Sequence, residues 1–84
     1  MTKEEVIEAI KDIPIDSKIQ VILKSGAIHE ARLSSHKVDK IPEKKYETVT
    51  VPELPPALLI NGHIRQGNYR IEVEDIVKIA WVDH

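Results

Sequence analysis

Four histidines, His29, His36, His63 and His84, are the side chains able to titrate near neutral pH or to hold a transition metal through nitrogen. Their spacing matches no metal pattern, with no His-Glu-x-x-His run and no helical pair four residues apart. They read as surface or loop histidines, and neither a metal nor a cofactor is expected. Ser17, Ser25, Ser34 and Ser35 lack the Gly-x-Ser-x-Gly elbow that presents a nucleophile. Gly67 lacks the further glycines of a phosphate-cradling loop. The chain therefore reads as a non-enzyme.

Two charged constellations remain. Glu72, Glu74 and Asp75 form an acidic row suited to a basic partner surface, although Glu72 and Glu74 alternate with Ile71 and Val73 as on the solvent face of a half-buried strand. Arg32, Lys37, Lys44 and Lys45, with His36, Lys40 and Tyr46 nearby, form a basic cluster beside an aromatic. Such a cluster suits RNA, since cations meet phosphates while a ring stacks a base. Asp39, Glu43 and Glu47 dilute it, and the bland reading is a solubilising loop. Pro52 and Pro55 match the ends of a Pro-x-x-Pro ligand, but the stretch is short and flanked by strands, and it reads as a rigid connector.

The scaffold for these residues is small. At 84 residues and 9.5 kDa the chain has room for one domain, residues 1–84, and a domain of this size buries only about 60% of its unfolded surface. Hydrophobic content of 42% beside 31% charged residues is that of a folded protein. Phe is absent, and Ile and Val supply most of the apolar set, which favours strands because β-branched side chains suit a pleated surface. The net charge of −2 is spread along the chain, with no basic half of the kind polyanion binding usually requires. Cysteine is absent, which excludes a disulfide framework. No apolar run approaches the ~18 residues of a membrane span, so a cytoplasmic protein that does not engage membranes is expected.

Thr2 and Glu5 make a capping box ahead of Val6, Ile7, Ala9, Ile10 and Ile13, whose spacing predicts a helix over residues 3–13 that Pro14 ends. Alternating Ile19, Val21 and Leu23 predict a strand over 18–24, Ser25-Gly26 a hairpin turn, and residues 27–35 its returning strand. There His29 falls on the inward set and implies a bulge or an edge. A loop follows over 36–43, then a third strand over 45–51 and a proline-interrupted connection. Residues 58–60 and 63–66 form a hairpin around Asn61-Gly62, Gly67-Asn68 turns into a strand over 69–73, and residues 76–82 close the set. The pattern predicts a mainly β fold, a small antiparallel SH3-like or Sm-like barrel of five or six strands over 18–82, with one N-terminal α-helix in residues 1–14. Ile10, Ile19, Val21, Leu33, Val49, Ile71, Val73, Ile76, Ile79 and Trp81 are its expected core. Weak homodimerisation through the edge of strand 45–51 is expected.

Several segments resemble the Rho-binding antiterminator family, small bacterial Sm-like proteins that restrain the transcription terminator Rho. They are Ile19-Gln-Val-Ile-Leu-Lys-Ser-Gly26, Ala31-Arg-Leu33, Lys44-Lys-Tyr-Glu-Thr-Val49 and Tyr69-Arg-Ile-Glu-Val-Glu-Asp-Ile-Val-Lys-Ile79. The resemblance covers about two thirds of the chain in pieces. It implies an adaptor that binds a protein partner in transcription, with RNA binding as the other reading. Residues 52–68 are longer than that family's connection, and the first Sm motif, with its Asp and Asn ahead of the loop, has no clear counterpart around residues 35–39, so the RNA pocket of Sm rings does not carry over.

Overall fold

The computed structural model describes residues 1–62 and 67–82. Helix α1, Lys3–Ile10, begins at the capping box: Thr2 Oγ1 accepts from the Glu5 amide at 3.1 Å, and Glu5 Oε1 accepts from the Thr2 amide at 2.8 Å. It buries Val6 and Ile10 and leaves Ile7 outward. Strands β1 (Lys18–Leu23), β2 (Ile28–Leu33), β5 (Ala57–Gly62), β6 (Asn68–Glu72) and β7 (Ile76–Trp81) form one five-stranded antiparallel sheet in the order β6-β5-β2-β1-β7.

That order and one short connection determine the curvature. Laid flat, the two edge strands would stand about 19 Å apart, at about 4.8 Å per strand. The connection from Glu72 to Ile76 spans at most about 14 Å if extended, and less here because Val73–Asp75 is a 3-10 turn. The sheet must therefore curl until its edges approach each other at this corner. The expected closed barrel is not what forms: among the described residues no ladder joins β6 to β7. Helix residues Val6 and Ile10, with Ile13 just beyond, share one core with Ile19, Val21, Leu33, Leu58, Ile60, Ile71, Val73 and Ile76.

Of the expected core positions on β7, Ile76 is buried while Ile79 and Trp81 are half-buried against the core, and the three share a face only because the ladder slips. Ile79 and Trp81 lie opposite Val21 and Ile19, but Ile76 lies opposite Leu23 while Lys78 lies opposite Ile22, so Val77 is an extra residue. This bulge returns Ile76 to the inner face, where it is buried, and turns Val77 outward. His29 sits in regular register opposite Val21. The β2–β5 ladder begins only at Ala31, so the edge reading holds and no bulge is needed.

Two expectations fail in the middle of the chain. Residues 45–51 are not a strand of the sheet: β3 (Lys44–Lys45) and β4 (Thr50–Val51) pair only with each other. Ile41 and Leu54 exchange two 2.9 Å backbone bonds at the base of this pair, so residues 41–54 form a separate hairpin arm. Val49, assigned to the core, is exposed on it, and the strand chosen as the sheet edge is no edge; the open edges are β6 and β7. Asn61 and Gly62 form no turn either. Both belong to β5, paired with Arg32 and Ala31 of β2, and Asn61 also faces Asn68 of β6, so tertiary pairing overrides the local turn preference. Their supposed partner, residues 63–66, lies outside the described residues, as does His84.

Candidate functional site

The acidic row lies where the sheet turns back on itself. Glu72 ends β6, opposite Ala57, and Glu74 and Asp75 belong to the 3-10 turn, so the three carboxylates line a corner and not one strand face. Backbone bonds hold this corner from both sides. The Val73 amide donates to Pro56 O at 3.1 Å, and the Lys24 amide donates to Asp75 O at 2.9 Å. The terminal ammonium of Met1 donates to Val73 O at 3.0 Å and also to Ile76 O. All three carboxylates are exposed. Among the described residues none of them joins an ion pair, whereas Glu8, Glu30, Asp39 and Glu53 are each paired with a lysine.

An apolar patch adjoins the corner. Ile22 and Ile28 face each other across β1 and β2, on the outer side of the sheet, and the bulged Val77 stands next to Lys78, the other neighbour of Ile22. Ile28 and Val77 are 61% and 56% exposed, well beyond the other apolar residues of the sheet. The corner is thus an acidic rim beside a small apolar surface, a combination suited to a protein segment carrying both apolar and basic side chains.

The basic residues are spread over three elements of the chain. Arg32 is on β2, where Nη1 donates to Asp16 O at 2.8 Å; with Lys18, Glu30 and Ala31 it lines an open groove of about 370 Å³. Lys37 lies in the loop after β2, its amide donating to Ser35 Oγ at 3.0 Å. Lys44, Lys45 and Tyr46 are on the arm. There the pairing of Lys44 with Val51 and of Lys45 with Thr50, closed by a 2.7 Å bond from the Tyr46 amide to Val49 O, puts Lys44 and Tyr46 on one face and Lys45 on the other.

The loop leading to the arm holds groups that the sequence left as polar connection. Val38 is buried in the core, His36 Nε2 lies 2.6 Å from Ile13 O, and Lys3 pairs with Asp39 at 3.1 Å. A carbonyl only accepts, so His36 carries its proton on Nε2. This histidine is a structural tie. Among the described residues no three His, Asp or Glu side chains stand close enough to share a metal ion, and no helix is long and apolar enough to cross a membrane. Neither a family model, nor a curated protein, nor a solved structure matches the chain, so the corner and the arm are interpreted from their own residues.

Proposed function

We propose that the chain is a non-catalytic adaptor that binds a protein partner at the corner formed by Glu72, Glu74 and Asp75. The observation that carries this reading is the conjunction of three exposed carboxylates, without an ion pair among the described residues, with the exposed Ile28 and Val77 on a backbone fixed by hydrogen bonds. The carboxylates steer a basic partner and raise its association rate, while the apolar patch supplies contact that charge alone does not. The strand order and the 3-10 turn before the last strand favour an open relative of SH3-like and Sm-like barrels. With the sequence resemblance, this makes a transcription regulator of Rho type the first partner to test.

The test is capture of partners from a bacterial lysate with and without nuclease, followed by reversal of Glu72, Glu74 and Asp75 to Lys. A nuclease-resistant protein partner whose association slows and loses salt dependence in the reversed variant is the expected result. A signal that disappears with nuclease supports the RNA reading instead. Of the residues assigned to RNA, Lys44 and Tyr46 share one face of the arm, Lys45 takes the other, and Arg32 and Lys37 belong to other elements, which is why that reading takes second place.

A further inference from the structure

The arm has an uncovered face of its own. Lys44, Tyr46, Val49 and Val51 lie together, with Tyr46 60% and Val49 56% exposed, whereas the opposite face carries Lys45 and Thr50. Four prolines, Pro42, Pro52, Pro55 and Pro56, stand within or beside the arm, and its base is closed by the Ile41–Leu54 bonds. The arm is therefore stiff and cannot easily fold its apolar face onto its own sheet. The molecule measures 47 × 27 × 25 Å, an elongation that fits a hairpin projecting from a compact body. A projecting apolar face on a soluble chain calls for something to cover it.

We infer that it is covered by a second copy of this chain, the arm of each copy seating Tyr46 and Val49 on the Ile22, Ile28 and Val77 patch of the other. Charge selects this occupant. Lys44 lies on the arm's apolar face, while Asp75 and Glu74, which have no ion pair among the described residues, border the patch. The geometry permits a closed pair. The arm leads through Pro56, whose carbonyl accepts from Val73, into β5, whose first residue faces Glu72. Arm root and acidic corner are therefore neighbours in each copy, and a two-fold axis beside them carries each arm across the other's corner. The contact is then made twice, which suits a surface too small to hold a pair through one arm. This inference rests on the corner being a binding surface and adds its regulation: self-association covers the apolar patch that a partner would use.

The experiment is sedimentation of the full chain and two variants, Tyr46→Ser with Val49→Ser on the arm and Ile28→Ser with Val77→Ser on the patch. All four positions are exposed, so thermal melts at concentrations where wild type is also monomeric are expected to match it. Wild type should sediment at twice 9.5 kDa and each variant alone near 9.5 kDa. An equimolar mixture of the variants should regain a heterodimer, because the patch variant keeps its arm and the arm variant keeps its patch. A wild-type monomer at high micromolar concentration overturns the inference, as does an arm variant that dimerises like wild type. A mixture that stays monomeric also overturns it, since that points to arm against arm. A Lys-rich peptide titrated onto the monomeric arm variant examines the corner separately. Peptide binding without wild-type dimers refutes the exchange alone. Dimers without peptide binding uphold the exchange and remove the reading of the corner as a site for a basic partner.

Discussion

The curled sheet and the arm are built on opposite terms. In the sheet, Ile19, Val21, Leu33, Leu58 and Ile60 are wholly or almost wholly buried, and every central strand has partners on both sides. In the arm, residues 42–54 are all exposed, and two short strands hold each other with no sheet behind them. Burial fixes the sheet, whereas local hydrogen bonds and prolines fix the arm. Side chains on the arm are thus free of packing duty, which is the condition under which a surface becomes available for recognition.

One substitution made in both regions tests this contrast most severely. Val21→Asp forfeits about 1.5 to 3 kcal/mol of apolar burial and buries an unpaired carboxylate at a further cost of several kcal/mol. A small domain has only about 5 kcal/mol or slightly more in total, so this variant should be unfolded by circular dichroism. Val49→Asp, on the arm, should melt within about 0.5 kcal/mol of wild type at concentrations where both are monomeric. Equal melts for the two variants would erase the distinction.

A smaller effect is expected at Gly26, in the β1–β2 turn, where φ is +91° and nothing lies within 4 Å of the place a Cβ would occupy. Gly26→Ala should therefore cost about 1 to 2 kcal/mol in backbone strain alone, measured by denaturant midpoint. A neutral result would show the turn to be as free of the sheet as the arm is.

The smallest effect concerns α1. The Thr2 backbone amide, and then its hydroxyl, hold the Glu5 carboxyl below its ordinary value of 4.5. Because the folded value is the lower one, the capping contribution is present above the ordinary carboxylate range. It is lost as pH falls through the lowered value. A slight acid loss of helical signal in wild type, reduced in Glu5→Gln, is the expected outcome, and identical acid profiles would deny the capping box any such role.

What the sequence showed and what it hid follow the same division. The capping box, the Ser25-Gly26 turn and the alternation of Ile19 and Val21 are local signals acting on local structure, and each appears where expected. The three carboxylates were likewise legible as exposed, although their corner was read as one strand's solvent face. The arm was not legible, because Tyr46, Val49 and Val51 have the composition of a sheet strand and only the absence of a neighbouring ladder distinguishes them. Val38 was hidden for the opposite reason: one apolar residue in a polar loop gives no period, and its burial depends on the His36 and Asp39 ties to the helix region. The Ile22, Ile28 and Val77 patch needed the bulge, which no local pattern announces.

The pairing of β1 with β7 also has a consequence in time. On the ribosome, Leu23 emerges roughly fifty residues before Ile76, its partner, which at about 5 to 20 residues per second is an interval of several seconds. During that interval the β1–β2 hairpin exists with one flank bare, and α1 has no completed surface to dock on. Closure by β7 therefore waits on the other four strands of the sheet, and the nascent chain is most prone to wrong pairing just before β7 arrives.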